Sequence, residues 1–263
     1  MSDHTGAYIH GTAPDEQRRL AGLNRMTNGP FMEFLRIAPG MHVLEVGSGL
    51  GILAAEVASA AKDVRVVGLE KSPQQLVSAI KAHGLSYVQG DAHQLEFSDA
   101  SFDLVYARYL LEHVSHPQKV LGEMRRVLRP GGRIALCEND ISLVRLDPPC
   151  PAFEKLWAAF ASYQLKLGGD PFIGRRLCRL LTDAGFLDIE LSVQPEIHWH
   201  GSAGFSWWIG NLEGNLESAR GGIMESGLGT KEDFVAGNVE LSTLVRKEGA
   251  SSHFVWNRAA ATR

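Results

Sequence analysis

Between residues 41 and 138, five runs of apolar and β-branched residues alternate with runs of helix-forming residues. The strand-like runs are 41–46, 64–69, 86–89, 102–107 and 133–138. Helix-like stretches separate them, with 53–61, a start at Ser72-Pro73-Gln74-Gln75, and 116–128 among them. Strands that alternate with helices imply βαβ units, a mostly parallel sheet and helices on both of its faces. Right-handed crossovers then leave few arrangements to choose from. Ser72 can cap its helix, with Pro73 at the first helical position and Gln75 at the third. Arg129-Pro130-Gly131-Gly132 reads as the stop before the fifth strand.

Outside this core the rhythm changes. Residues 13–35 read as a helical lead that Asn28-Gly29-Pro30 should break in two. Beyond Glu138, helices are expected at 153–167 and 172–184, and strands at 187–193 and 252–256. A long insertion lies between those last two, from about 195 to 249. It holds Trp199, Trp207 and Trp208, and Trp157 lies in the other inserted region. Aromatics concentrated there suggest a substrate pocket or a dimer contact, with ordinary core packing as the alternative.

Composition removes several classes of function. With 26 Lys+Arg against 30 Asp+Glu, the net charge is −4, and the chain carries no overall basic footprint for nucleic acid. No apolar run approaches the roughly 18 residues of a membrane span. Met1-Ser2-Asp3-His4 lacks the basic and apolar regions of a signal peptide. Cys137, Cys150 and Cys178 are odd in number and show no CxxC spacing, as expected of reduced thiols in a cytoplasm. No metal site is expected. His198 and His200 could share a strand face, but no third ligand has matching spacing.

The sharpest local feature is Glu45-Val46-Gly47-Ser48-Gly49-Leu50-Gly51, between the first strand and its helix. Glycines there permit a tight turn and close approach of the main chain to a ligand. Glu70 ends the second strand, where a ribose-binding carboxylate belongs. A dinucleotide site expects GxGxxG, whereas here Ile52 stands where the third glycine should be. Glu45 beside the loop suits a ligand that carries an ammonium group and repels a pyrophosphate.

Five motifs stand in register: VLEVGSGLG (43–51), VVGLE (66–70), GDA (90–92), FDLVYARYLLEHV (102–114) and RVLRPGGRIAL (126–136). On them the chain resembles the class I S-adenosylmethionine-dependent methyltransferases, in particular the ubiquinone/menaquinone-type small-molecule group. The resemblance implies an α/β fold: a Rossmann-like, seven-stranded, mostly parallel sheet with helices on both faces and helical insertions forming a substrate cap. It divides the chain into an N-terminal arm or lid, 1–40, and a methyltransferase domain, 41–263, with insertions at about 139–172 and 195–250. It implies S-adenosylmethionine as cofactor, with Glu45, Gly47, Ser48 and Gly49 at its methionine part and Glu70 at its ribose. Lys71 and Gln75 join this set, and Asp91 with Ala92 would meet the adenine. Arg108 replaces the small or polar residue common at its position, and its role stays open between the cofactor carboxylate and the substrate.

The reaction so implied is in-line methyl transfer to a small, partly apolar metabolite. Whether oxygen, nitrogen or carbon accepts is left open. If a proton must leave the acceptor, candidate bases are His113, Glu138 and Asp140, with Tyr8 and His10 on the N-terminal arm. His113 and Tyr8 rank first, against a reading in which His113 only holds its loop together. Arg175, Arg176 and Arg179 read as a solvated helix face. Expected partners are the small substrate and, as an option, a second copy of the chain. The rival readings are a non-methylating cyclase or regulator on the same fold, and an NAD(P)-dependent oxidoreductase.

Overall fold

The computed structural model describes residues 14–263. In chain order the helices are α1 (Pro14–Leu35), α2 (Ile52–Ser59), α3 (Pro73–Val77), α4 (Pro117–Val127), α5 (Pro151–Lys166), α6 (Leu177–Asp183), α7 (Phe205–Glu225) and α8 (Lys231–Arg246). The strands are β1 (His42–Val46), β2 (Arg65–Glu70), β3 (Leu85–Gln89), β4 (Phe102–Arg108), β5 (Leu128–Glu138), β6 (Arg145–Asp147), β7 (Leu187–Trp199) and β8 (Ser251–Thr262). They form one eight-stranded sheet in the order β3-β2-β1-β4-β5-β8-β6, with β7 also paired to β8. Neighbours from β3 to β5 run parallel, and β8 runs antiparallel to β5, β6 and β7. This is the expected Rossmann-like α/β arrangement. The strand beyond the expected seven is the three-residue β6, which borders β8.

The central strands β1, β4 and the second half of β5 are buried on both faces, which is why they read as nearly continuous apolar runs. Val43, Leu104, Tyr106, Ala135 and Cys137 point to one core, shared with α1, α2, α5, α7 and α8. Leu44, Val46, Val105, Ala107, Ile134 and Leu136 point to the other, shared with α4 and α6. The alternation follows the two-residue period of a strand.

Several boundaries differ from expectation: β8, expected at 252–256, runs to Thr262, and the helix expected at 172–184 is an α-helix only over Leu177–Asp183. Helix α1 runs unbroken through Pro30. Phe31 and Leu35 are fully buried beyond that proline, and the Asn28 amide donates to Glu56 on α2 at 2.7 Å. Packing along the whole face therefore outweighs the missing N–H. Strand β5 begins at Leu128, so the anticipated stop lies within it, beside a register irregularity between Phe102 and Leu104 of β4. Strand β7 continues through Pro195 to Trp199. As an edge strand it tolerates a residue that cannot donate to a neighbour.

Candidate active site

Strand β1 delivers the glycine loop to the C-terminal edge of the parallel strands, where open α/β sheets bind ligands. Gly47, Gly49 and Gly51 all have positive φ, at 80°, 54° and 70°. A Cβ on Gly51 would stand 1.8 Å from the Tyr87 hydroxyl, which donates to the Ile80 carbonyl at 2.7 Å. Tyr87 thus closes one side of the loop, and only glycine fits beneath it. A Cβ on Gly49 would meet nothing within 4 Å, so the loop stays open at its middle.

The loop's main chain is engaged within the protein. The Gly47 and Ser48 amides both donate to the Leu69 carbonyl, at 2.8 and 2.9 Å. The Gly49 amide donates to Glu70 Oε2 at 2.8 Å, and Glu70 Oε1 accepts from the Ser72 amide at 2.8 Å. These amides are not a free cradle for phosphate. Each Glu70 oxygen keeps a second lone-pair site, so the carboxylate can still accept hydrogen bonds from a sugar diol.

Glu45 is buried below the loop. Burial pushes its carboxyl up to about 8, against the opposing charge of Arg108. Glu45 Oε2, Ser48 Oγ and Gln75 Oε1 are buried polar atoms without a hydrogen-bond partner. Unpaired buried polar atoms are costly, and a cluster of them beside an open glycine loop fits a polar ligand. S-adenosylmethionine, which has an ammonium group, a ribose diol and no phosphate, suits this donor and acceptor set. A pyrophosphate facing the Glu70 carboxylate does not.

At the ends of β2 and β3, Lys71 donates to Asp91 Oδ2 at 3.0 Å. The His93 amide lies 2.9 Å and its Nδ1 2.6 Å from Asp91 Oδ1. Burial would raise the Asp91 carboxyl, but His93 and Lys71 outweigh it and hold it well below the usual range. Lys71 therefore braces Asp91, and Ala92 is buried beside it. His93 and Tyr87 were missed by the sequence reasoning. His93 Nε2 is a further buried atom without a partner, and its place next to Asp91 was the available signal.

Arg108 ends β4 and turns to the N-terminal helix. It donates to Thr27 Oγ1 at 3.1 Å and to Asn24 Oδ1, both on α1. Its guanidinium lies 5.5 Å from the Phe31 ring centroid and 5.2 Å from that of Tyr109. The residue that departs from the family pattern thus fastens α1 to the sheet.

The next residues connect the loop to a cavity. Leu110 lies under Gly47, where a Cβ would come within 3.0 Å of Leu110 Cδ1. Glu112 and His113 then line a cavity with Arg19, Tyr109, Trp157, Trp208 and Trp256. Glu112 accepts from the Asn139 and Gln164 side chains, and its Oε1 lies 3.8 Å from His113 Nε2. Glu138 is fully buried and accepts from the Leu110 and Leu111 amides at 3.1 and 2.9 Å. Burial, then the nearby Glu112, push its carboxyl up to about 8. It holds the turn that carries His113.

Other expected residues lie elsewhere. Asp140 is paired with Arg175 at 2.6 and 2.8 Å, and that pairing overcomes burial and lowers its pKa. Arg176 pairs with Asp170, so two of the three arginines read as a solvated face are tied into ion pairs. His198 is buried and meets Glu196 at 2.6 Å, whereas His200 lies exposed past the end of β7. Among the described residues no cluster of three His, Cys, Asp or Glu could hold a metal. Trp207 packs against Gly22 of α1, and Trp199 is exposed on β7. Tyr8 and His10 lie outside the described residues.

A family described as "Methyltransferase domain" matches residues 44–136. The chain is 31% identical to an O-methyltransferase of Pyrenophora dematioidea over 206 residues, covering 73% of this chain and 72% of that one. It is 32% identical to a 37.1 kDa protein in transposon TN4556 of Streptomyces fradiae, with 71% of this chain and 56% of that protein covered. The chain therefore spans little more than half of some relatives. A crystal structure of a putative methyltransferase from Bacillus halodurans superposes with a TM-score of 0.59 at 20% identity, covering 90% and 98% of the two chains. That likeness bears on the fold.

Proposed function

The chain belongs to the class I S-adenosylmethionine-dependent methyltransferases, and from that premise we propose that it methylates a small, partly apolar metabolite held between the glycine loop and the cap. One observation carries this reading: the segment after β4 passes from beneath Gly47 into the cavity lined by His113. A ligand on the loop and a ligand in the cavity would then be neighbours.

In this reading Gly47, Ser48 and Gly49 receive the methionine part of the cofactor and Glu45 its ammonium. Glu70 takes the ribose hydroxyls. Gln75, with its unpartnered amide oxygen, joins that side, and Asp91, braced by Lys71, takes the adenine with Ala92. Arg108 supports the site from behind by anchoring α1. Bound there, S-adenosylmethionine supplies an electrophilic methyl whose bond to sulfur breaks as the bond to the acceptor forms, the electron pair leaving on a neutral thioether.

The residues of the chain do the rest by position and proton transfer. His113 takes the proton of an acceptor hydroxyl, with Glu112 Oε1 3.8 Å from its Nε2. The O-methyltransferase relative supports oxygen as the acceptor atom. Tyr8, on the segment before α1, is the second candidate for contact with the acceptor. Residues 1–40 form the N-terminal arm, whose Arg19 and Leu23 border the cavity, and insertions at about 139–172 and 195–250 form the cap and exclude water. The free thiols of Cys137, Cys150 and Cys178 support a cytoplasmic location.

Pairing of two copies belongs to the same proposal. Leu191, Val193, Ile197 and Trp199 are 49% to 58% exposed on the outer face of the edge strand β7. Its inner face instead buries Gln194, Glu196 and His198. An apolar face left open on an edge strand suits the same face of a second copy. Ile197→Glu should then shift sedimentation from dimer to monomer; a wild-type monomer at all concentrations contradicts pairing.

The test of the reaction is His113→Ala and His113→Gln, followed by transfer of labelled methyl. kcat should fall by about 10²–10⁴-fold while adenosylhomocysteine binds as in the wild type. Wild-type turnover in both variants would exclude His113 as the base.

A further inference from the structure

Helix α3 is shorter than its sequence allows. Residues 73–83 hold no glycine, and their one proline is the first of them. Most of the rest, among them Gln74, Gln75, Leu76, Ala79, Lys81 and Ala82, are good helix formers. The helix nevertheless stops at Val77, which is left 89% exposed. The reason lies at Ile80. Its N–H donates to the Leu50 carbonyl of the glycine loop at 2.9 Å, where a continuing helix would have directed it to Leu76. Its carbonyl accepts from the Tyr87 hydroxyl at 2.7 Å. Both main-chain groups of Ile80 are thus given to the loop and to Tyr87.

Tyr87 also stands against the loop directly. Glu45 on β1, Gly68 on β2 and Tyr87 on β3 are register partners, so the three form one row on one face of the sheet. Gly68 leaves that row open at its centre. A Cβ there would stand 2.8 Å from Tyr87 Cδ1 and 2.9 Å from Ser48 Oγ. The tyrosine ring and the serine hydroxyl therefore share the gap, and that hydroxyl is buried without a partner. The ring edge lies over Gly68 and the Tyr87 hydroxyl over Gly51. Burial, then the nearby Glu45, push that hydroxyl up to about 12, so it stays a donor to Ile80.

We infer that Tyr87 is a positioning residue: through Ile80 it holds Leu50, and with it the glycine loop, in the shape that receives the amino acid arm of the cofactor. This rests on the methyltransferase reading of the site and gives the setting of the loop to a side chain two strands away. The arm is the part at stake. In that reading Gly47, Ser48 and Gly49 receive it, whereas the ribose falls to Glu70 and the adenine to Asp91. Tyr87 needs no contact with the cofactor to act in this way. Losing its hydroxyl should cost the contacts of the arm and spare those of the adenosine.

The test compares two ligands on the full chain by titration calorimetry. One is adenosylhomocysteine; the other is 5′-methylthioadenosine, which keeps the adenosine and the thioether but lacks the arm. Tyr87→Phe keeps the ring and removes only the hydroxyl. It should bind adenosylhomocysteine about three- to tenfold more weakly, as for one lost hydrogen bond, and 5′-methylthioadenosine with less than about a twofold change. Tyr87→Leu, which also takes the ring from over Gly51, should widen the gap between the two ligands. In the absence of ligand, the Gly47, Ser48 and Gly49 amides of Tyr87→Phe should exchange with deuterium faster than those of the wild type. Equal adenosylhomocysteine affinity in Tyr87→Phe and the wild type, a parallel loss of both ligands, or unchanged exchange would overturn the inference while the methyltransferase reading stands. No binding of adenosylhomocysteine by the wild type would overturn both.

Discussion

The loop half and the cap half of this molecule differ in which of their buried polar atoms are bonded within the protein. Around the glycine loop, Glu45 Oε2, Ser48 Oγ, Gln75 Oε1 and His93 Nε2 are buried without partners. In the cap, the N–H groups of Trp157, Trp208 and Trp256 are all bonded within the protein. The first half holds polar valences open for a ligand of fixed chemistry. The second holds its three indoles in place and leaves the Tyr109 hydroxyl of the cavity lining without a partner. A fold can thus keep one cofactor while its acceptor changes, since surfaces are altered more easily than a set of matched hydrogen bonds.

The contrast can be broken by experiment. Glu138 and Glu45 both have folded pKa values near 8 against 4.5 for the free group. Between those values the folded state binds more protons than the unfolded one, so the stability these two acids contribute is fully present below about pH 4.5 and is lost as pH rises through 8. The fall should be on the order of a few kcal/mol. Glu138→Gln should flatten about half of it, and a melting temperature independent of pH between 5 and 8 in the wild type would contradict the placement of both acids. Next in size is Arg108→Met, which removes the bonds to Asn24 and Thr27. Denaturant unfolding should show a loss of about 2 kcal/mol, together with weaker protection of α1 against hydrogen exchange.

A matched pair of glycine substitutions compares the halves directly. Ala at Gly51 puts a Cβ on the Tyr87 hydroxyl at a φ of 70°, and should cost more than about 1 kcal/mol and weaken adenosylhomocysteine binding. Ala at Gly210, exposed within α7 and with nothing near its Cβ, should stabilise by about 0.5–1 kcal/mol and leave that binding alone. Equal effects in chemical denaturation would erase the distinction.

The loop half was legible in the sequence because its demands are local. Positive φ calls for Gly47, Gly49 and Gly51, and Ser72 caps the Gln75 amide within three residues. The succession of β1 to β5 along the chain, though not their order in the sheet, followed from their apolar runs. What escaped was non-local. Pro30 gave no hint that α2 and α7 would hold α1 straight. On β7 the buried face carries Gln194, Glu196 and His198, an inversion of the usual pattern that is paid for by partners such as Trp256 and Thr27. Arg108 found its partners 81 and 84 residues away. The cavity draws on α1, α5, α7, β8 and the turn after β4, and no spacing in the sequence announces such a convergence.

The central claim is that the glycine loop and Glu70 bind an adenosine bearing an amino acid arm. Titration calorimetry of adenosylhomocysteine into the wild type and Glu70→Ala tests it most directly. Removing hydrogen bonds to a charged group should weaken binding by about 10²-fold or more, with the fold intact by circular dichroism. No heat with the wild type, or equal affinity in the two proteins, would contradict the account.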